Sequence, residues 1–243
     1  MTEMNGSLTE GLKELNIEYN DEKLEKIATF YEMIIEKNKV MNLTRITDKD
    51  DFIVKHVLDS LLVTKALDIR NQEILDVGCG AGFPGVPIAV FFPEVRITLL
   101  DSLNKRLIFL NEVIEKIGLD NARTIHARAE ELGKQKDHRE QYDIVVSRAV
   151  AELSNLFELC IPFTKVGGYT VSYKSDDSDK EIEDSVYAGR ILSGQKPEAK
   201  RFILPNTDIY RRFVMVKKSK PTPAKYPRNP SVIKKHPLID GST

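Results

Sequence analysis

Cysteine and histidine are scarce in this sequence of 243 residues. Cys79 and Cys160 are the only cysteines, and there are four histidines. Two cysteines provide neither a disulfide framework nor a cysteine-based zinc site, and no two histidines have the HxxxH spacing of a helical metal site. The sequence therefore predicts a protein without a bound metal ion.

Long apolar runs are also missing. No apolar segment approaches the roughly 20 residues that a membrane-spanning helix needs, and residues 1–20 lack the apolar core of a signal peptide. Hydrophobic residues make up 41 % of the chain and charged residues 30 %, which is ordinary for a globular protein. We therefore expect a cytoplasmic protein without membrane contact. We also expect a monomer.

Charge is balanced overall but uneven along the chain. The formal net charge is −1, yet residues 196–236 contain twelve Lys and Arg against only Glu198 and Asp208, a net charge of +10. A basic segment of this kind indicates either a polyanionic partner or a solvated tail, and charge alone favours neither.

The first 70 residues have a helical pattern. Ser7 and Glu10 have the spacing of a capping box, which predicts a helix over residues 8–15. Apolar residues at helical spacing predict longer helices over residues 21–40 and 51–67. We expect residues 1–70 to form an N-terminal helical extension packed on the main domain.

From residue 73 the pattern changes to alternating strands and helices. Apolar runs rich in β-branched residues predict strands at 74–77, 95–100, 123–126, 142–147 and 168–173, with helices at 86–92, 105–117, 130–133 and 153–163 between them. This alternation predicts an α/β, Rossmann-like fold with a doubly wound, mostly parallel sheet.

The end of the chain has a different pattern. A helix over 179–191 is predicted before two closely spaced strands, 201–204 and 212–216, which suggests an antiparallel pair at one edge of the sheet. Residues 71–218 would complete the main domain. Residues 219–243 are rich in proline and basic residues and are predicted to be extended, without packing of their own.

The stretch ILDVGCGAGFPG, residues 74–85, is the most informative motif. Its strand carries Asp76 near its end and then breaks into a turn. Three glycines occupy alternate positions of that turn: Gly78, Gly80 and Gly82. Glycines permit positive φ and let a nucleotide-like ligand approach the backbone. The dinucleotide-binding fingerprint needs another glycine at position 83, but Phe83 stands there.

Asp101 is the second informative position. It ends the next predicted strand, 23 residues after Gly78, where an acid can accept both hydroxyls of a ribose. Together with the glycine turn it predicts a cofactor that contains adenosine. The alternative is an acid that only caps the helix starting near Asn104.

The first turn also distinguishes between cofactors. Residues 76–82 resemble the DxGxGxG turn of class I S-adenosylmethionine-dependent methyltransferases. The methionine ammonium of that cofactor needs a carboxylate or carbonyls nearby, which Asp76 and the loop backbone can supply. A NAD-dependent dehydrogenase has less use for Asp76, because a carboxylate repels a pyrophosphate. We therefore favour S-adenosyl-L-methionine over NAD.

The residues after the third and fourth strands bear on the adenine and on the acceptor. Ala129 and Glu130 follow the third strand, where their backbone amides can meet the adenine edge. The fourth strand ends in SRAV instead of the (N/D)PP(Y/F) tetrad of amine-directed nucleic-acid methyltransferases. Neither cysteine has the Pro-Cys setting of a nucleophile that attacks pyrimidine C5. The acceptor is therefore expected to be neither an exocyclic amine nor a ring carbon.

Several motifs occur together in a family-like order. They are MNLTRI, KHVLDSL, LDVGCGAGFPGVPIA, DSLNKR, ARAEEL, SRAVA and KYPRNP. Over residues 20–238 they resemble the glucose-inhibited division protein B family, the guanine-N7 methyltransferases of 16S ribosomal RNA. The resemblance implies transfer of a methyl group from S-adenosyl-L-methionine to N7 of a specific guanine. The implied partner is 16S ribosomal RNA or the small ribosomal subunit.

The turn motifs and the resemblance together imply two sets of site residues. The cofactor-binding set is Asp76, Gly78, Gly80, Gly82, Phe83, Asp101, Ala129, Glu130 and Arg148. Arg128, Arg148 and Arg211 match arginines around the family's active site and are expected to position the substrate. Guanine N7 has a lone pair and no proton, so we expect no general base and a dependence on alignment. The target guanine is expected to be unpaired or turned out of its stack, because A-form RNA buries the N7 edge.

Alternatives remain open from the residues themselves. A methyltransferase of a small molecule or a protein would share the cofactor residues, and a non-catalytic RNA-binding module can use the same fold. His56, Asp59 and Ser60 share one face of the predicted third helix. They either shape the mouth of the site or only tie that helix to the sheet.

Overall fold

A computed structural model describes residues 2–240 around a seven-stranded sheet. The strands are β1 (Glu73–Val77), β2 (Arg96–Asp101), β3 (Ala122–His126), β4 (Tyr142–Arg148), β5 (Thr164–Ser175), β6 (Glu198–Ile203) and β7 (Tyr210–Lys217). Their order is β3-β2-β1-β4-β5-β7-β6. The first five strands are parallel, and β7 runs antiparallel to both β5 and β6. The predicted mostly parallel sheet and its antiparallel edge pair are confirmed.

Helices cover both faces of this sheet. The α-helices are α1 (Thr2–Glu14), α2 (Asp21–Asn38), α3 (Lys49–Phe52), α4 (Asp59–Leu61), α5 (Gly85–Phe91), α6 (Asn104–Lys116), α7 (Ala129–Leu132), α8 (Leu153–Cys160), α9 (Asp179–Asp184), α10 (Val186–Ser193) and α11 (Pro230–Lys235). Successive strand residues enter opposite cores, as Ile74 and Leu75 of β1 do. Helices α1 to α6 contribute to one core, and α7, α8 and α10 to the other. No helix among residues 2–240 combines the length and apolarity needed to cross a membrane.

The N-terminal helices pack on the same face as α5 and α6. Phe30 of α2 and Phe52 of α3 are fully buried there, in the core that also holds Leu110 of α6. The capping box predicted at Ser7 is wrong, because α1 already begins at Thr2 and Ser7 lies inside the helix. Instead, the Ser7 carbonyl accepts a hydrogen bond from Asn206 Nδ2 at 2.9 Å.

The third predicted helix is interrupted by a change of helical pitch. Helix α3 continues into a π-helical turn, Ile53–Leu58, then into α4 and a 3-10 turn, Leu62–Lys65. A π-helical turn contains one residue more per hydrogen-bonded ring and is often found at functional sites. Here it carries His56 and is followed directly by Asp59, both of which face the sheet end described below.

Helix 179–191 is also interrupted, at Ser185. Its hydroxyl donates a hydrogen bond to the Ile182 carbonyl at 2.7 Å. This bond competes with the backbone hydrogen bonds of the helix and separates α9 from α10.

The expectation that the C-terminal segment is extended and unpacked is wrong. It contains α11, and Tyr226 and Leu238 are buried in the core beside α8. Arg139 donates hydrogen bonds to four backbone carbonyls: those of Gly133, Thr222, Pro223 and Tyr226. Arg228 forms a two-pronged ion pair with Glu158 of α8, whose carboxylate is fully buried. These buried polar anchors hold the segment against the domain despite its proline content.

Candidate active site

Three adjoining cavities lie at the carboxyl ends of the parallel strands, where the strand order reverses between β1 and β4. This is the usual ligand position in doubly wound sheets. Their volumes are about 300 Å³, 180 Å³ and 450 Å³, and we call them the first, second and third cavity. Gly78 lines the first and second, Arg148 lines the second and third, and Ala149 lines all three. They therefore form one continuous groove.

The glycine turn lies between the end of β1 and this groove. Gly78 has φ +72° and Gly82 has φ +102°, conformations that L side chains rarely adopt. A Cβ atom on Gly78 would lie 2.5 Å from Val150 Cγ2. Gly78 lines the first and second cavities, so at this position the turn presents backbone and no side chain to a ligand.

Asp101 fixes the turn from the end of β2. Its Oδ2 accepts hydrogen bonds from the Gly80 amide at 3.0 Å and from Arg106 Nη1 at 3.3 Å. Its Oδ1 accepts from the Leu103 amide at 2.8 Å, just before α6. The carboxylate is 4 % exposed and lines the first cavity. Asp101 therefore forms a local turn ahead of α6, whose N-terminus has no side-chain cap among residues 2–240, and its carboxylate, with about four acceptor positions, also faces the first cavity.

The far end of the first cavity is formed by α7. Ala129 and Glu130 line it, and their backbone N–H groups have no acceptor among residues 2–240. Glu130 is nearly buried, whereas the Arg128 side chain is 62 % exposed and lies 3.5 Å from the Glu130 carboxylate. Two free amides and one carboxylate are therefore available at this end.

Asp76 lies beneath the turn and lines none of the three cavities. Its Oδ2 accepts a hydrogen bond from the Gly85 amide at 2.9 Å, while its Oδ1 is buried without a hydrogen-bond partner among residues 2–240. Burial raises the pKa of this carboxyl to about 7. The side chain thus ties α5 to β1 and keeps one unsatisfied acceptor below the glycines.

Phe83 and His56 form the wall of the second cavity. Their rings stack at 4.3 Å between centroids and 14° between planes, and the Arg148 guanidinium lies 5.2 Å from the Phe83 ring centre. Arg148 Nη2 lies 3.1 Å from His56 Nδ1, and because arginine can only donate, Nδ1 must accept. His56 Nε2 therefore carries the proton and donates to Thr44 Oγ1 at 2.8 Å. Burial, assisted by the Arg148 charge, lowers the pKa of His56 to about 3, so the ring is neutral.

The third cavity is organised by one carboxylate between two arginines. Asp59 is 3 % exposed. Its Oδ2 accepts from Arg148 Nη1 at 2.8 Å, and its Oδ1 accepts from Arg211 Nε at 2.7 Å. The Ser60 carbonyl accepts from the Tyr173 hydroxyl at 2.8 Å. The helix face carrying Asp59 and Ser60 thus both ties the N-terminal helices to the sheet and forms the wall of the cavity.

Comparison with known proteins identifies the family. Residues 23–205 match the family model GidB, described as rRNA small subunit methyltransferase G. The chain belongs to this family. It is 45 % identical over 236 residues to ribosomal RNA small subunit methyltransferase G of Lachnoclostridium phytofermentans, covering 97 % of this chain and 98 % of that protein. The homologue of Desulforamulus reducens is 43 % identical, covering 98 % and 100 %.

Solved structures support the fold. A SAM-dependent methyltransferase from Aquifex aeolicus superimposes with a TM-score of 0.51 at 15 % identity, covering 75 % of this chain and 96 % of that one. A predicted O-methyltransferase from Agrobacterium tumefaciens gives 0.50 at 21 % identity, covering 68 % and 80 %. The Rossmann-like class I methyltransferase fold expected from the sequence is confirmed.

The residues of this family member fit S-adenosyl-L-methionine. Gly78 presents its backbone without a side chain, and Asp101 faces the first cavity. The free amides of Ala129 and Glu130 lie at the opposite end of that cavity. Asp76, which the sequence assigns to the methionine ammonium, lies beneath the turn and lines none of the three cavities, so that contact stays a prediction. Among residues 2–240, no cluster of three or more His, Cys, Asp or Glu has the geometry to hold a metal ion.

The structure brings together most, but not all, of the residues that the sequence singled out. Arg148 and Arg211 share Asp59, whereas Arg128 lines only the first cavity and stands apart from that pair. Sequence reasoning missed Arg106 beside Asp101 and Tyr173 in the third cavity. Arg106 ends the DSLNKR motif and Tyr173 ends the fifth predicted strand, but no spacing rule distinguishes a cavity-facing residue there from an outward-facing one.

Proposed function

We propose that this protein transfers a methyl group from S-adenosyl-L-methionine to N7 of a specific guanine in 16S ribosomal RNA. The observation that carries the proposal is the third cavity, which adjoins the second cavity and offers no free general base among residues 2–240. An acceptor without a proton to lose fits such a cavity.

Each candidate base there is already committed. Asp59 is ion-paired with both arginines, and His56 is a neutral ring with hydrogen bonds on both nitrogens. Burial raises the pKa of the Tyr173 hydroxyl, which donates to a backbone carbonyl. An amine or hydroxyl acceptor would need one of these groups to remove its proton, whereas guanine N7 attacks through its lone pair.

The bound cofactor would supply the electrophilic methyl group, and the residues of this chain would orient it. We assign Asp101 to the ribose hydroxyls and the Ala129 and Glu130 amides to the adenine edge. The Phe83–His56 wall would limit movement of the methionine portion and keep water from the methyl carbon. Holding the attacking nitrogen in line with the methyl carbon would account for the acceleration of methyl transfer, as expected for catalysis by alignment.

RNA would be held mainly by cations that have no acidic partner within the described residues 2–240. Between residues 196 and 236, five of the twelve cations pair with carboxylates elsewhere in the chain. The seven others are Lys196, Lys200, Lys217, Lys220, Lys225, Lys234 and Lys235. We infer that these lysines contact phosphates, so RNA binding should weaken as salt concentration rises.

We further propose that the protein acts as a monomer in the cytoplasm, without a metal ion. Its working division would be a helical extension (1–70), a methyltransferase domain (71–218) and a basic C-terminal segment (219–243). The packing of α1 to α4 on the core face of α5 and α6 supports treating the extension as part of the site.

Methyl transfer from labelled cofactor to 16S ribosomal RNA of cells that lack this protein tests the proposal. Strand scission specific for N7-methylguanine then locates the product. We expect one labelled guanine, and RNA without label would refute the proposal. If calorimetry also showed no affinity for S-adenosyl-L-methionine, a non-catalytic RNA-binding module would be the better description. Cofactor binding without RNA labelling would favour a small-molecule or protein acceptor.

A further inference from the structure

The two arginines of the third cavity differ in how many donors are already used. Arg148 donates through Nη1 to Asp59 and, at 3.3 Å, to the Lys55 carbonyl, and through Nη2 to His56. Arg211 donates through Nε to Asp59 and through Nη1 to the Tyr210 carbonyl at 3.4 Å. Arg211 Nη2 has no acceptor among residues 2–240. Arg148 is thus held on three sides, whereas Arg211 keeps a free donor group.

Other polar side chains of the same cavity have their own partners. The Tyr173 hydroxyl donates to the Ser60 carbonyl, Lys174 Nζ donates to the Ala151 carbonyl at 2.9 Å and pairs with Glu181, and the Ser175 hydroxyl donates to Asp177. Lys55 pairs with Asp51 at 2.7 Å, and its side chain is 36 % exposed. A point charge at that exposed position suits a phosphate better than a carbonyl in the plane of a base.

Asp59 controls the direction of the free donor. Its side chain is 5 % exposed, and it holds Arg211 through Nε, which leaves the outer end of the guanidinium for the cavity. Because the guanidinium is planar and rigid, fixing Nε fixes the plane in which Nη2 can donate. Asp59 also offsets part of the charge of the two arginines, which reduces their preference for an anionic backbone phosphate over a neutral carbonyl.

We propose that Arg211 donates a hydrogen bond through Nη2 to O6 of the acceptor guanine, and that Asp59 is the positioning residue that aims it. This inference rests on the proposed function. Guanine presents O6 and N7 as acceptors on one edge, whereas adenine presents an amino donor in place of O6. Arginine cannot accept a hydrogen bond, so adenine would place two donors face to face.

The contact serves recognition rather than acceleration. N7 must stay free to attack the methyl group, so Arg211 takes O6 alone and not the two-pronged O6/N7 contact common in DNA recognition. Positive charge develops on the ring during transfer, and a nearby guanidinium does not stabilise it. Arg211 therefore selects and orients guanine.

The test changes the base and the residue together. The methylated guanine, once mapped, is replaced in 16S ribosomal RNA by 2-aminopurine, which lacks O6, or by inosine, which keeps O6 and lacks the exocyclic amine. Single-turnover methylation is measured with the original protein and with Arg211→Met. The original protein should lose about 10- to 100-fold on 2-aminopurine, the usual effect of a hydrogen bond to a charged donor. It should lose little on inosine.

In Arg211→Met the rate on guanine should fall. The further loss on replacing guanine by 2-aminopurine should shrink to about threefold or less, because methionine has no donor whose hydrogen bond to O6 could be lost. Intrinsic N7 reactivity is the same for both proteins and cancels in this comparison. Arg211→Met that still discriminates like the original protein would overturn the inference. An undiminished rate of the original protein on 2-aminopurine would also overturn the inference. This measurement does not depend on whether a variant folds.

Two further variants separate aiming from simple loss of structure or charge. Asp59→Asn should weaken discrimination of 2-aminopurine much more than calorimetric affinity for S-adenosyl-L-methionine, because Asp59 itself lines only the third cavity and Arg148 keeps its hydrogen bonds to the Lys55 carbonyl and to His56. Lys55→Gln removes a cation from the same cavity and should keep full discrimination. If Lys55→Gln lost it and Asp59→Asn kept it, Asp59 would not be the positioning residue. If the original protein methylated no guanine at all, the proposed function itself would fail.

Discussion

Replacing Asp76 by asparagine should make the cofactor-free protein more stable at alkaline pH. The carboxyl is fully buried, one oxygen has no hydrogen-bond partner, and burial raises its pKa from 3.8 to about 7. An acid with a raised pKa in the folded state binds its proton more tightly there than in the unfolded chain. The free energy of unfolding therefore falls as pH rises from about 4 to about 7, and the loss is complete above that range.

The size of the effect follows from the two pKa values. Each unit corresponds to about 1.4 kcal/mol, so the raised pKa of Asp76 lowers the free energy of unfolding by about 4 kcal/mol at pH 8 and by about 1.7 kcal/mol at pH 5. In Asp76→Asn the carbonyl can still accept from the Gly85 amide. The new amide donor lacks an acceptor in place of Oδ1, which costs about 1–3 kcal/mol at either pH.

Urea unfolding followed by circular dichroism at pH 5 and pH 8 measures both proteins. The stability of Asp76→Asn relative to the original protein should rise by about 2.5 kcal/mol between the two pH values, since the amide cost cancels. Asp208→Asn is the matched control, because Asp208 is exposed and has no ion pair among residues 2–240. A relative stability that is the same at both pH values, within about 0.5 kcal/mol, would refute the reasoning.

Three further predictions concern other buried groups. The ring protons of His56 should show no titration in NMR spectra between pH 5 and pH 8, because its pKa is about 3; a midpoint near 6.5 would contradict the assigned neutral ring. Arg228→Met should lower the free energy of unfolding by about 3–5 kcal/mol, because it leaves Glu158 buried and unpaired. The double variant with Glu158→Met should recover most of that loss, and additive losses would count against the pair. Cys79 and Cys160 should resist a thiol reagent at pH 8 until the protein is unfolded, because both are buried and burial raises their pKa; rapid labelling of the folded protein would be inconsistent with this burial.

The sequence predicted best those features that depend on local patterns. The glycine turn, Asp101 and the strand–helix alternation depend on short spacings, and the structure places them as expected. The partnership of Arg148 and Arg211 depends on Asp59, which is 89 and 152 residues away from them in sequence. No periodicity connects such distant positions.

The errors have a similar origin. The C-terminal segment has the composition of an unpacked tail, but tertiary anchors such as Arg139 and Glu158 override that tendency. The π-helical turn could not be foreseen either, because apolar spacing alone does not distinguish it from an α-helix. Arg128 lies at the first cavity beside Glu130, so its expected part in positioning the substrate stays a prediction.

The strand order has a consequence for how the protein is made. Strand β6 is bonded in the sheet only to β7, and β7 is the strand that joins it to β5. Because β7 follows β6 in the chain, residues 198–203 leave the ribosome before any strand exists to pair with them. Arg211, which completes the third cavity, arrives on that same late strand. The nascent protein can thus complete the first and second cavities before it completes the third cavity, where a base would bind.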